Sequence, residues 1–208
     1  MISPLHYLTQ DMDDRSHVFL AEQACRGGVE WVQLRVKNKP TPDWKQIARE
    51  VRAVCDKYNV RLIINDNIHI ALETGADGVH LGQKDMPVEK ARQIAGDKFI
   101  IGGTANTASD IEGHIAAGAD YIGIGPFCMT ETKKNLSPIL GVEGIGKLAQ
   151  LFPDIPLIAI GGIRQEDTPK LLKTGIYGVA VSSAINKADN PVKTVKDFLD
   201  CFSKRTMI

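Results

Sequence analysis

One unit occurs four times along this chain: a helical pattern closes on glycine, and three residues later an apolar strand begins. Gly27-Gly28-Val29-Glu30-Trp31-Val32-Gln33-Leu34 resembles Gly75-Ala76-Asp77-Gly78-Val79-His80-Leu81-Gly82. Both resemble Gly118-Ala119-Asp120-Tyr121-Ile122-Gly123-Ile124-Gly125 and Gly175-Ile176-Tyr177-Gly178-Val179-Ala180-Val181-Ser182. Glycine suits the left-handed position that ends a helix because it has no side chain to clash. Repeated helix-to-strand joints mean alternating β and α elements, and hence a parallel sheet.

Reading between the joints predicts strands near Leu5–Thr9, Trp31–Arg35, Arg61–Asn65, Gly78–Leu81, Phe99–Gly102, Tyr121–Ile124, Leu157–Ile160 and Gly178–Val181. Helices are predicted near Arg15–Arg26, Asp43–Tyr58, Ile68–Thr74, Val88–Ala95, Ala108–Ala117, Val142–Phe152, Glu166–Thr174 and Val192–Ser203. Thr41-Pro42 reads as a cap followed by proline in the first helical turn. Such βα units most economically close into a single-domain α/β (β/α)8 TIM barrel, here spanning residues 1–208. An open doubly wound sheet is the runner-up, but the G-x-G-x-x-G turn it calls for after the first strand is missing.

Composition removes several classes of function. The formal net charge is zero and no basic stripe stands out, so nucleic-acid binding by bulk electrostatics is not expected. No apolar run approaches the roughly 18 residues of a membrane span. Met1-Ile2-Ser3-Pro4 lacks the charged and apolar regions of a signal peptide. Cys25, Cys55, Cys128 and Cys201 are scattered without a Cys-x-x-Cys pair, so a cytoplasmic location is expected rather than a disulfide framework or zinc site. Homo-oligomerisation is left open.

A barrel of this kind carries its chemistry at the carboxyl ends of its strands. The second strand ends Gln33-Leu34-Arg35-Val36-Lys37. Period two puts Gln33, Arg35 and Lys37 on the inward face and Val32, Leu34 and Val36 against the helices. Cations at that mouth suit an anionic ligand, or else an ion pair with a neighbouring carboxylate. Asp66 and Asp85 follow the third and fourth strands. As a pair they suit Mg²⁺ shared with a substrate's phosphates. Singly, Asp66 reads as a helix cap and Asp85 as a turn residue. His80 reads as a hydrogen-bonded core histidine in preference to a catalytic base. Gly103 allows close backbone approach and Thr104 offers a hydroxyl, although a plain turn leading to a cap at Thr107 explains the segment equally well.

The sixth strand stops at Gly125-Pro126, and Phe127-Cys128-Met129-Thr130-Glu131-Thr132-Lys133-Lys134 follows. Paired hydroxyls and lysines suit an oxyanion such as diphosphate, and they equally suit a solvated loop. Gly161-Gly162 and Ser182-Ser183 end the seventh and eighth strands, where barrels of this class bind phosphate on loop amides and a short helix. The mouth then has two anion sites, sized for two phosphorylated small molecules.

These residues carry a resemblance. The chain resembles the thiamin phosphate synthase (thiamine-phosphate pyrophosphorylase) family along nearly its whole length. The matching stretches include Tyr7-Leu8-Thr9, Gln33-Leu34-Arg35-Val36-Lys37, Ile64-Asn65-Asp66 and Gly78-Val79-His80-Leu81-Gly82-Gln83-Lys84-Asp85-Met86-Pro87. They continue through Gly125-Pro126, Thr130-Glu131-Thr132-Lys133, Ala159-Ile160-Gly161-Gly162-Ile163 and Val181-Ser182-Ser183-Ala184-Ile185.

The resemblance implies a transferase for thiamine biosynthesis that joins 4-amino-5-hydroxymethyl-2-methylpyrimidine diphosphate to 4-methyl-5-(2-hydroxyethyl)thiazole phosphate, with Mg²⁺ as cofactor. It implies that the run Gln33, Leu34, Arg35, Val36 and Lys37, with Asn65, Thr104 and Lys133, binds the pyrimidine diphosphate. Arg35 and Lys133 would act in catalysis. Asp66 and Asp85 would hold the metal. Thr130, Glu131, Thr132, Gly162, Ser182 and Ser183 would bind the thiazole phosphate. The family's usual serine is replaced by Thr104, and Phe127-Cys128-Met129 departs from its Val-Phe-Pro-like run. A related thiazole tautomerase would need a histidine just after the sixth strand, where this chain has Gly125-Pro126-Phe127. A barrel that only binds such phosphates is the other alternative.

Overall fold

The helix-closing glycines do adopt the left-handed backbone: φ is 100° at Gly28, 65° at Gly75, 82° at Gly118 and 90° at Gly175. The computed structural model describes residues 1–129 and 138–203. Strands β1 (Leu5–Leu8), β2 (Trp31–Leu34), β3 (Arg61–Asn65) and β4 (Gly78–Leu81) alternate with helices α1 (His17–Gly27), α2 (Thr41–Tyr58), α3 (Ile68–Glu73) and α4 (Val88–Ala95). Strands β5 (Ile100–Ala105), β6 (Tyr121–Ile124), β7 (Leu157–Ile160) and β8 (Gly178–Val181) continue the series. Their helices are α5 (Ala108–Ala116), α6 (Gly141–Leu151) and α7 (Thr168–Leu172), with α8 (Ser183–Asn186) and α9 (Pro191–Ser203) after the last strand. The strands pair in sequence order, all parallel, and close between β1 and β8 with Leu5 opposite Val179. No described helix is long and apolar enough to cross a membrane.

Four local expectations are corrected. Helix α1 begins at His17, because the Ser16 side chain caps it by accepting from the Phe19 amide. Helix α2 begins at Thr41 itself, with Pro40 in the cap position and no side-chain cap. The segment after β8 forms a short helix of its own before α9. Strand β5 extends to Ala105, so Gly103 and Thr104 belong to the sheet and not to a turn. The two β5 glycines make room for rings: a Cβ at Gly102 would sit 2.6 Å from the Tyr121 hydroxyl, and one at Gly103 would sit 2.7 Å from His114 Nδ1. The cap at Thr107 is present, as a reciprocal box with Asp110.

Alternation divides the core into two shells. Leu5, Tyr7, Leu34, Val36, Leu62 and Ile64 face the helices. Leu8, Trp31, Ile63, Tyr121, Ile158 and Ala180 fill the barrel interior. His6 joins that inner shell, stacked on Trp31 at 4.2 Å and edge-on to Tyr121 at 4.9 Å. Burial pushes the His6 pKa down to about 3, helped by the charge of His80.

The unfolded chain therefore takes up a proton that the folded chain refuses. His6 adds stability in full above its ordinary value of 6.5, and that stability is lost as pH falls toward 3. The slope is about 1.4 kcal/mol per pH unit for one group. Urea denaturation compared between about pH 7 and about pH 5 is expected to show this loss. His6→Phe, which keeps a ring in the stack, is expected to flatten the slope; an unchanged slope would mean that His6 is protonated in the folded barrel.

Candidate active site

The polar ends of β2, β3 and β4 meet at one rim. Gln33 is buried and donates from Nε2 to Asn65 Oδ1 at 2.8 Å, which fixes both amides across the β2–β3 pair. Arg35 and Lys37 lie just past the end of β2. Burial draws the Arg35 pKa down, while the carboxylates of Asp66 and Asp11 hold it up. Lys37 Nζ pairs with Asp66 Oδ2. Leu34 and Val36 stand on the opposite face, with side chains in the outer core, so they reach the mouth through backbone only. The side chains that the β2 run offers at the mouth are therefore those of Gln33, Arg35 and Lys37.

Asp66 does not cap α3; the neighbouring Asn67 does, its Oδ1 accepting from the Ile70 amide at 3.0 Å. Asp66 instead has a left-handed backbone, φ 69°, with its amide donating to the His80 carbonyl at 2.7 Å. Non-glycine residues occupy this region at a cost, and the cases that persist concentrate at functional sites. The turn aims the freed carboxylate at Lys37 and Asp85.

Asp85 does hold its turn, accepting from the Gly82 amide at 2.7 Å. Burial raises its pKa against the pull of that amide, and the Asp66 carboxylate lying against it raises it further. Two hard oxygen donors pressed together, with one partly buried, fit Mg²⁺, which keeps waters and takes ligands from substrate phosphates. Among the described residues no third His, Cys, Asp or Glu joins them, so a cation here would complete its shell with water and substrate.

Behind this rim stands a hydrogen-bonded chain. His80 Nδ1 lies 3.0 Å from the Tyr121 hydroxyl and its Nε2 lies 2.9 Å from Thr104 Oγ1. His80 is thus a hydrogen-bonded core residue that supports Thr104 from below.

The opposite side of the mouth is built by β6, β7 and β8. Gly125-Pro126 is a cis peptide, and Phe127 N and Cys128 N donate to Ile160 O at 2.8 Å and Gly161 O at 3.0 Å. Gly161 and Gly162 are both left-handed, with φ 104° and 69°. A Cβ at Gly162 would lie 2.6 Å from the Met129 carbonyl, so the β6 loop packs where a side chain would stand. Ser182 Oγ donates to Gln10 Oε1 at 3.2 Å and accepts from Asn186 Nδ2 at 3.1 Å. Its hydroxyl is therefore held within the fold, and Ser183 opens α8 beside it. Thr130, Glu131, Thr132 and Lys133 lie outside the described residues. Asn106 ties the flanks of that segment to the rim, donating to Gly125 O at 2.7 Å and Pro138 O at 3.1 Å.

A family model described as thiamine monophosphate synthase matches residues 5–185. The chain belongs to that family. A thiamine-phosphate synthase of Bacteroides thetaiotaomicron is 42% identical over 200 residues, covering 94% of this chain and 96% of the relative. One from Clostridium novyi is 46% identical over 187 residues, covering 88% and 91%. A solved thiamine phosphate pyrophosphorylase from Pyrococcus furiosus superposes with a TM-score of 0.87 at 32% identity, covering 96% of this chain and 95% of that one. In this thiamine monophosphate synthase family member Thr9, Asp11 and His17 bond to one another and to the Arg35 and Lys37 amides, and Gln10 accepts from Ser182; the reading of strand ends passed over the end of β1. The first strand ends in Thr9-Gln10-Asp11, so the same rule applied there would have found three of them.

Proposed function

We propose that this chain acts as one barrel domain that joins 4-amino-5-hydroxymethyl-2-methylpyrimidine diphosphate to 4-methyl-5-(2-hydroxyethyl)thiazole phosphate, giving thiamin phosphate and diphosphate. The observation that carries the reading is the meeting of Asp66, Asp85, Lys37 and Arg35 at one rim. The four cysteines are free thiols, which suits a cytoplasmic biosynthetic enzyme.

The bond between the pyrimidine methylene and the diphosphate oxygen breaks first, and its electron pair leaves with the diphosphate. The thiazole nitrogen then donates its lone pair to the methylene cation. No covalent enzyme intermediate is needed, so the residues act by placing charge where charge develops. Arg35 and Lys37 would face the departing diphosphate, joined by Lys133 from outside the described residues. Gln33 and Asn65 lock each other and would present their remaining amide groups to the pyrimidine. Thr104 would hold the ring through its braced hydroxyl. Mg²⁺ held by Asp66 and Asp85 would supply a Lewis acid for the diphosphate oxygens. The glycines at 161 and 162, with Ser182 and Ser183, would cradle the thiazole phosphate on backbone amides; Thr130, Glu131 and Thr132 belong to the same reading.

Phosphorus NMR on purified protein with both substrates and Mg²⁺ tests the proposal: diphosphate and thiamin phosphate should appear together in equal amounts. Binding of both substrates without either product would favour a binding-only barrel. Gly162→Ala is expected to raise the KM for the thiazole phosphate roughly tenfold or more, because the methyl group displaces the β6 loop and strains a left-handed residue. The KM for the pyrimidine diphosphate should move far less; an equal rise in both would place Gly162 outside the phosphate cup.

A further inference from the structure

Arg35 and Lys37 stand beyond the last residue of β2, where the sheet ladder no longer holds the backbone. Long cationic side chains on a free loop would have to be ordered when substrate binds, at an entropic cost. The loop after β1 supplies a different anchorage. The Arg35 amide donates to Thr9 Oγ1 at 3.1 Å, and the Lys37 amide donates to Asp11 Oδ2 at 3.0 Å. His17 joins the two acceptors: its Nδ1 lies 2.9 Å from Thr9 Oγ1 and its Nε2 lies 3.0 Å from Asp11 Oδ1.

We propose that Thr9, Asp11 and His17 are positioning residues that clamp both amides flanking Val36, and so aim the Arg35 and Lys37 side chains at the diphosphate. The inference rests on the reading of Arg35 and Lys37 as diphosphate ligands.

The proton directions close without remainder. A carboxylate only accepts, so His17 Nε2 carries the proton that faces Asp11. Burial draws the His17 pKa down, against the bond and charge of Asp11, so the ring is neutral and Nδ1 is an acceptor. The Thr9 hydroxyl must then donate to Nδ1, which leaves its oxygen lone pairs for the Arg35 amide. Each residue of the three fixes the role of the next. The clamp is itself anchored. Thr9 and His17 are buried, and Arg15 from the same loop donates to the Asn186 and Ala188 carbonyls at 2.9 and 2.8 Å. The arrangement resembles the outer partners that orient metal ligands, whose loss costs about 10- to 100-fold in affinity or activity.

Thr9→Val keeps the shape and removes the hydroxyl; Thr9→Ser keeps the hydroxyl. Asp11→Ala, in an accessible loop, removes the other acceptor. Three readouts apply to the whole protein. The first is calorimetric binding of inorganic diphosphate with Mg²⁺, expected to weaken roughly tenfold in Thr9→Val and Asp11→Ala and to recover in Thr9→Ser. The second is the KM for thiazole phosphate, expected to move less than diphosphate binding, since the loop meets the segment after β8 through Gln10 and Arg15, whose bonds neither substitution removes. The third needs no substrate: nitrogen-15 NMR should find His17 as the Nε2–H tautomer, and the Arg35 and Lys37 amides should exchange faster in both variants. Unchanged amide exchange, or a His17 proton on Nδ1, would overturn the clamp whatever the ligand. Unchanged diphosphate binding in Arg35→Ala and Lys37→Ala would instead overturn the diphosphate reading, while the amide and tautomer results still judged the clamp.

Discussion

Asp66→Asn is expected to lower the rate of diphosphate release by on the order of 100-fold or more while leaving the barrel folded. Asparagine is the most informative replacement, because Asp66 is left-handed and asparagine, like aspartate, is among the few residues with a side chain that visit that conformation. The amide that donates to the His80 carbonyl is kept, and Asn67 continues to cap α3. What changes is chemistry: the pair with Lys37 loses its charge, and the Asp66–Asp85 pair loses one of its two anionic donors. The thermal midpoint should therefore move little. Steady-state kinetics with saturating thiazole phosphate and varied Mg²⁺ would check the effect, with the Mg²⁺ requirement shifted to higher concentration. A variant with wild-type turnover and wild-type Mg²⁺ dependence would remove Asp66 from the site. Asp66→Ala would be harder to interpret, since it mixes lost charge with backbone strain.

Trp31→Ala is expected to destabilise the fold by about 3–5 kcal/mol. Trp31 is fully buried in the barrel interior, stacked on His6 at 4.2 Å and edge-on to Tyr121 at 5.4 Å. Its indole nitrogen has no hydrogen-bond partner among the described residues, so the loss is one of packing and cavity and not of a polar contact. His6 on the adjacent strand and Tyr121 from across the closed barrel are each held by their own strands and cannot collapse far into the space, which favours the upper part of that range. Urea denaturation monitored by far-ultraviolet circular dichroism would measure it, and Trp31→Phe should recover more than half. A loss below about 1 kcal/mol would mean that the inner shell is not packed as described. The effect also reaches the rim, because Gln33 is the next inward residue on the same strand.

The barrel was legible because its punctuation is backbone chemistry. Glycines that must be left-handed at Gly28, Gly75, Gly118 and Gly175 mark the joints regardless of what surrounds them. Alternation supplied Gln33, Arg35 and Lys37 and separated the outward Val32, Leu34 and Val36; position after adjacent strands supplied Asp66 and Asp85, and the family resemblance supplied Asn65. Beyond that, contacts between distant segments decide the roles. Nothing in the sequence around Gly102 and Gly103 says that the rings of Tyr121 and His114 need the space. That is why β5 reads shorter in sequence than it is. Nothing near Asp66 says that Asn67 takes over the cap and frees it. Ser182 reads as part of a phosphate cup built on loop amides, and nothing near it in sequence says that Gln10 and Asn186, from opposite ends of the chain, hold its hydroxyl. Thr9 and Asp11 were findable as the end of the first strand, but their bonds to the Arg35 and Lys37 amides come from the β1–β2 pairing and are not written in either segment.

The most direct measurement is a crystal structure of the protein with Mn²⁺ and inorganic diphosphate, with the metal located by its anomalous signal. One strong peak is expected between the Asp66 and Asp85 carboxylates, with diphosphate oxygens on it and on Arg35 and Lys37. A metal peak elsewhere, or diphosphate seated only on the glycines and serines after β7 and β8, would contradict that placement.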